Sequence, residues 1–408
     1  MILLKSNDQK KCVGEIKITG SKSETNRLLI LKELFQKISL SNISNSDDSY
    51  VMQKALNSNE SIIDIGHAGT AMRFLTSFFA ISSGREIVLT GSERMKQRPI
   101  KILVNALNEL GANIKYLGDI GYPPIKIKGK NISGGEIILP SNISSQYLTS
   151  LLLIGPKLKN GLKIKLTGQT TSYPYVKLTL DFLRKIGVDL IIERDTIFVK
   201  NIKKIYQKNI KIESDWSSAS YFFSAVALSR FSDLKLSSFL SKSLQGDSKL
   251  RKIYKKLGVE SRIKDGNLLL SKISNYKKPK SINFNLNDSP DLAQTIAVTC
   301  LGLEINCELN GLHTLKIKET DRLIALKNEI SKFGAFVKIT NDSLQLIVKK
   351  NLKYNIEIDT YNDHRMAMAF APLALINNIK IRNEKVVTKS YPNFWDDFQS
   401  IGFQAIKI

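Results

Sequence analysis

One pattern recurs along this chain: an amphipathic helix runs into an apolar residue and a glycine, and two short alternating strands follow. It reads "LVNALNELGANIKYLG", "LTLDFLRKIGVDLIIERDTIFVK", "LRKIYKKLGVESRIKDGNLLLS" and "ALKNEISKFGAFVKITNDSLQLIV", with a shortened echo in the terminal "WDDFQSIGFQAIKI". Gly111, Gly187, Gly258, Gly334 and Gly402 each fit the left-handed position just past a helix end, where a side chain would clash and glycine does not. They stand about 70 residues apart, which predicts a repeated α/β unit in about six copies. Each copy closes on a hairpin, such as "IKDGNLLL" with its Asp-Gly turn, so mixed sheets are expected rather than purely parallel ones.

The length of 408 residues, 42% of them hydrophobic, is enough for two domains with separate cores. The polar stretch "SSFLSKSLQGDSKL" suggests a domain change near residue 240. The opening "MILLKSNDQKK" has neither a sustained apolar region nor a small-residue cleavage site, and the apolar runs are too short to span a bilayer, so a cytoplasmic protein without membrane attachment is expected. Cys12, Cys300 and Cys307 have no C-x-x-C spacing, and His67, His313 and His364 form no i, i+3 or i, i+4 pair, so neither a disulfide framework nor a metal site is indicated. The net charge of +24 could attract phosphate backbones. Its lysines are scattered among Ile and Asn along the whole chain, however, with no nucleic-acid-binding motif, and no nucleic-acid partner is expected.

Several segments carry more Gly, Ser, Arg and paired charge than a solvated loop needs. In "GSKSETNRLLIL", Lys22, Ser23 and Arg27 fall at a helix start, where free N–H groups and the helix dipole favour an anion; a capped helix with surface cations would read the same. In "GHAGTAMRFL" and the "GSERMKQRPI" that follows it, the glycines permit close backbone approach, and Arg73, Arg94 and Arg98 are dense for a chain that otherwise prefers lysine. Arginine suits forked recognition of carboxylate or phosphate, yet neither a Walker nor a Rossmann spacing is present. "SSQYLTS", "TSYPYVKLTL" and "ESDWSSASYF" are hydroxyl-rich helix starts, which suit phosphate or sugar-like hydroxyls and equally suit ordinary N-caps. "NDSPDLAQT", "KIKETDRLIAL" and "YNDHRMAMAF" set carboxylates beside cations, an arrangement that can divide acid and base roles by holding pKa values apart.

Taken in order, "GSKSETNR", "GHAGTAMR", "LTGSERMKQRPI", "SSQYLTSLL", "DWSSASYF", "NDSPDLAQT", "KETDRL", "YNDHRMAMA" and "TKSYPNFWDDF" resemble the motif set of the 5-enolpyruvylshikimate-3-phosphate synthase family over nearly the whole chain. The resemblance implies a two-domain inside-out α/β barrel of six βαβαββ repeats, three per domain. It implies one discontinuous domain of residues 1–20 and 240–408, a second of 21–239, and an active site in the cleft between them. It implies transfer of the enolpyruvyl group of phosphoenolpyruvate to the 5-hydroxyl of shikimate 3-phosphate, with phosphate released, no cofactor, and a monomer. Lys22, Ser23, Arg27, Ser144, Ser145, Gln146, Ser172 and Lys318 match shikimate 3-phosphate contacts. Gly69, Arg98, Arg322, Arg365 and Lys389 match the phosphoenolpyruvate site, which Lys22 also reaches. Asp291 matches the base for the 5-hydroxyl, and Glu319 with Lys389 the proton transfer at the enolpyruvyl carbon.

His67 and Phe74 depart from the family, which often has Asn and Pro there, and Thr314 stands where Asn or Gln-like polarity is common. Two rival activities make different demands on the sequence. A UDP-N-acetylglucosamine enolpyruvyl transferase would be expected to carry a reactive cysteine in a loop of the first-folded half, and none lies between Cys12 and Cys300. A non-catalytic basic nucleic-acid-binding protein would tolerate loss of Asp291.

Overall fold

The computed structural model describes residues 1–140, 144–168, 172–349 and 352–408. Its contacts divide the chain into two compact units, Met1–Thr19 with Glu213–Ile408, and Gly20–Ile212. The second crossing thus falls at Ile212–Glu213 rather than near residue 240. The helix Trp216–Leu228 and the strand Phe231–Ser237 already belong to the first unit, because that strand pairs in parallel with Lys11–Ile16 and the helix is sunk in the same core.

Each four-stranded sheet among the described residues has one topology. In the sheet of Gly135–Pro140, Leu162–Thr167, Thr196–Val199 and Leu190–Glu193, the first two strands are parallel and joined by the helix Ser145–Ile154. The helix Tyr173–Lys185 then leads to a hairpin that folds back antiparallel on the second strand. Five sheets follow this plan, two in the unit Gly20–Ile212 and three in the other. The glycine signal marks real helix ends, since Gly111, Gly187, Gly258, Gly334 and Gly402 all have φ between 85° and 113°. The Asp265–Gly266 turn joins Val259–Lys264 to Asn267–Lys272 with both turn residues at positive φ, as the Asp-Gly pair demands.

The sixth copy differs from expectation. Its strands Ile38–Ser41 and Lys208–Lys211 form a two-stranded parallel sheet without a hairpin, because after helix Asp47–Asn57 the chain passes straight to strand Ile62–Asp64 of the next copy. The shortened terminal echo also has a cause. Its strand Phe403–Lys407 finds its hairpin-like partner at the other end of the sequence, pairing antiparallel with Ile2–Ser6.

Both crossings between units fall at the same step of the repeat, between a first strand and the helix that should follow it. Strand Lys11–Ile16 is followed by helix Lys22–Phe35 of the other unit, and strand Lys208–Lys211 by helix Trp216–Leu228. Within the first unit the chain entering and the chain leaving are tied: Asp215 N donates to Thr19 O at 3.2 Å, and Ser214 Oγ to Ile18 O at 2.6 Å.

In each unit the first helix of each copy packs on the other two. Lys22–Phe35, Gly69–Ala80 and Ser145–Ile154 meet in one unit; Trp216–Leu228, Ala293–Gly302 and His364–Phe370 meet in the other. The latter three are almost wholly buried, as expected for helices apolar all round. Sheet strands instead alternate buried and exposed residues, as in Leu162–Thr167, and so keep one face in water. Helices within and sheets without is the inside-out arrangement anticipated from the family.

Candidate active site

In each unit two of the central helices lie side by side in the same direction, linked by hydroxyls along their length. Ser220 meets Thr295 at 3.1 Å, and one turn further on Thr299 Oγ1 donates to Ser224 Oγ at 2.7 Å. In the other unit Gln146 Nε2 donates to Thr70 Oγ1 at 3.3 Å, and further along the same helices Ser77 meets Ser150 at 2.5 Å. Matching ends are therefore gathered. Gly69, Ser145, Ser217, Asp291 and Arg365 all sit at or beside the starts of central helices, and Lys22 and Ser23 open a further one. A strand–helix repeat with short loops sends each strand's chemistry to the N-terminus of the next helix, where unpaired N–H groups favour anions. Ser172, Arg98, Arg322 and Lys389 occupy the loops before, or the first position of, the second helices of their copies.

In the first unit, six of the residues expected to form the site make one network. Arg322, 2% exposed, donates from Nη1 to Asp291 at 2.9 Å, from Nη2 to Glu319 at 2.9 Å, and from Nε to Asp363 at 2.6 Å. Lys318 lies 3.4 Å from Asp291, Arg365 donates to Asp291 Oδ2 at 3.1 Å, and Lys389 donates to Glu319 at 2.7 Å. Burial alone would push the Asp291 carboxyl upward, but Arg365, Lys318 and Arg322 outweigh it and hold the group well below the usual carboxylate range. Burial would likewise lower Arg322, and Asp363, Glu319 and Asp291 raise it instead, so its charge is fixed. The local sequence builds this: Asp321 caps the helix Arg322–Lys332 and Asp363 the helix His364–Phe370, which turns Arg322 and Arg365 inward at their starts.

In the second unit, Lys22 pairs with Asp48 at 3.0 Å. Arg27 is buried against Thr179 Oγ1 (2.9 Å), the Ser23 carbonyl (2.6 Å) and the Tyr175 carbonyl (3.3 Å), with the Phe74 ring 5.5 Å from its guanidinium; burial brings it down to about 10. Gly69 opens its helix directly against Arg98. A Cβ there would lie 2.5 Å from Arg98 Nη1, so only glycine leaves the guanidinium in place. His67 Nδ1 is 2.9 Å from Ser92 Oγ. Ser144 caps the helix that begins with Ser145 and Gln146, and Ser172 adopts φ 54° ahead of helix Tyr173–Lys185. Thr171, which opens that quoted stretch, lies outside the described residues.

Two carboxylates of these clusters, Asp363 and Asp48, lie outside the residues matched to the family. Asp363 stands inside "YNDHRMAMAF", where nothing local marks it as the holder of Arg322, and Asp48 has no motif around it. Beside Arg365, the Ser217 hydroxyl donates to the Asp247 carboxylate; Ser217 comes from "ESDWSSASYF" and Asp247 from the polar stretch "SSFLSKSLQGDSKL". Among the described residues no group of three or more His, Cys, Asp or Glu is arranged to hold a metal ion. None of their helices is long and apolar enough to cross a membrane. The three cysteines are buried, and burial pushes Cys12 up to about 12 and Cys300 well above its ordinary value, so neither is an activated nucleophile.

Comparison with known proteins agrees with this architecture. Residues 48–398 match the family model of EPSP synthase (3-phosphoshikimate 1-carboxyvinyltransferase). The chain is 43% identical over 397 residues to a 3-phosphoshikimate 1-carboxyvinyltransferase of Bacteroides fragilis, covering 96% of each chain. It is 36% identical to one of Colwellia psychrerythraea, covering 96% of this chain and 97% of that protein. A solved EPSP synthase structure from Acinetobacter baumannii superimposes with a TM-score of 0.79 over the full length of both chains at 21% identity, a likeness of fold. The repeat, the helix-start cationic sites and these matches lead to one conclusion: the chain belongs to the EPSP synthase family.

Proposed function

We propose that this protein transfers the enolpyruvyl group of phosphoenolpyruvate to the 5-hydroxyl of shikimate 3-phosphate and releases phosphate, a step of aromatic amino acid biosynthesis. The observation that carries the reading is the cluster in which Arg322, Arg365 and Lys318 surround Asp291 while Lys389 pairs with Glu319. The two substrates together bring two phosphates and two carboxylates, and a group of buried cations at helix starts suits them.

The chemistry needs a proton delivered to the enol carbon, a proton taken from the attacking hydroxyl, and a second removal as phosphate leaves. Asp291 is the base for the hydroxyl. Held low by three cations it is ionised but weakly basic, and anions that bind Arg365 and Lys318 weaken their pull and make it a stronger base. Glu319, shared between Lys389 at 2.7 Å and Arg322 at 2.9 Å, has a proton donor at hand for exchange at the enolpyruvyl carbon. Lys22, Ser23, Arg27, Ser144, Ser145, Gln146, Ser172 and Lys318 hold shikimate 3-phosphate. Gly69, Arg98, Arg322, Arg365 and Lys389 hold phosphoenolpyruvate, with Lys22 reaching it as well.

Phosphate release from purified protein given both substrates tests this. Turnover is expected with shikimate 3-phosphate, and Asp291→Asn is expected to lower kcat by at least about a hundredfold, the usual worth of a general base. Release only when UDP-N-acetylglucosamine replaces shikimate 3-phosphate would overturn the assignment.

A further inference from the structure

The segment Gln245–Gly246–Asp247 folds over the start of the buried helix Trp216–Leu228, and its two polar side chains do different things. Gln245 fixes backbone, its Oε1 accepting from Trp216 N at 3.0 Å and its Nε2 donating to Ser214 O at 3.0 Å. Asp247, 4% exposed, fixes only a side chain: its Oδ2 accepts a short hydrogen bond from the Ser217 hydroxyl, and its Oδ1 is buried without a hydrogen-bond partner. A buried carboxylate with one oxygen unsatisfied is costly, and an apolar residue of similar size would serve packing better. Burial pushes the Asp247 carboxyl up to about 6 despite the opposing pull of Ser217 and Arg365, and Asp291 and Asp215 add to the rise.

Ser217 has one proton to give. Once it is donated to Asp247, only lone pairs remain on the hydroxyl, and these face Arg365, whose Nη2 lies 3.4 Å from Ser217 Oγ and 3.1 Å from Asp291 Oδ2. Without an acceptor at 247 the hydroxyl is free to turn its proton toward the guanidinium, and the contact becomes repulsive.

We propose that Asp247 is a positioning residue, which through Ser217 holds the Arg365 guanidinium in place to receive phosphoenolpyruvate. This rests on the reading of Arg365 given above. The Asp247 carboxylate orients the serine, the serine orients the arginine, and the arginine presents one face to Asp291 and the other to the anion.

A double-mutant cycle at about pH 8, where Asp247 is ionised, tests the chain of contacts. Asp247→Ala is expected to raise KM for phosphoenolpyruvate about tenfold, equivalent to about 1.4 kcal/mol, and to leave KM for shikimate 3-phosphate within about twofold. Asp247→Asn, which keeps an acceptor for Ser217, is expected to return KM to within about twofold of wild type. In a Ser217→Ala background, Asp247→Ala is expected to add nothing further. Factors that multiply in the double variant, equal rises for both substrates, or a lowered melting temperature with unchanged KM would each overturn the proposal. If Asp247→Ala does not fold, the Asn variant decides: a tenfold KM rise there would exclude orientation through an acceptor. A wild-type protein silent with both substrates would sink the functional reading itself, and this inference with it, whereas an active wild type with an additive cycle sinks only the inference.

Discussion

At the scale of single residues, two side chains linked through Ser217 and Arg365 make opposite electrostatic statements. Asp247 is raised by burial to about 6 from an ordinary 3.8, so the folded state holds its proton more tightly than the unfolded chain. Between those values the folded state binds more protons, and stability falls as pH rises, by a total of about 3 kcal/mol for a shift of this size. Asp291 is depressed, and its contribution has the other sign, present above its unfolded value and lost as pH falls through the acid range. Asp247→Asn is therefore expected to be more stable than wild type at neutral pH, with the gain shrinking toward pH 4; urea midpoints at several pH values measure it, and a gain that grows on acidification would contradict the sign. Gly69 gives a steric counterpart. In Gly69→Ala the new methyl sits 2.5 Å from Arg98 Nη1, the far end of a flexible side chain, so the fold survives and the guanidinium moves aside. KM for phosphoenolpyruvate should rise about tenfold or more with an unchanged melting temperature, since a displaced arginine loses an anion contact and no core.

At the scale of elements, buried helices are tied by hydroxyls as well as by apolar packing. Thr299 is shared by Ser224 at 2.7 Å and the Tyr254 hydroxyl at 2.8 Å, all buried. Thr299→Val keeps the shape and strands both partners, so it should cost about 1–3 kcal/mol in denaturant melts while KM for either substrate stays put. The helices, their glycine ends and the Asp265–Gly266 hairpin were legible in the sequence, since periodicity and left-handed glycines are local signals. The missing hairpin was not. Nothing near Ile38–Ser41 or Lys208–Lys211 says that these strands pair with each other across most of a unit. Nor could the sequence say that Phe403–Lys407 would complete its sheet with Ile2–Ser6. The candidate site divides in the same way. Asp291, Glu319, Arg322 and Arg365 stand in dense charged motifs, whereas Asp48 and Asp247 stand in ordinary loops and matter only through the partner that folding brings to them.

At the scale of the whole molecule, the chain leaves its first unit after Thr19 and returns at Glu213. The intervening residues hold two complete four-stranded sheets, the parallel pair and their own central helices, which is the inventory of an independent core. A fragment of residues 20–212 is expected to unfold cooperatively in urea with a native-like circular dichroism spectrum; a coil spectrum would show that it leans on the other unit. The tie between Asp215 N and Thr19 O carries a further consequence. Because the departing and returning strands of backbone are one hydrogen bond apart, a linker of about one or two residues could close the gap left by removing 20–212. The same spot is a natural splice point, at which a foreign module with neighbouring termini could be grafted into the first unit without stretching its sheets.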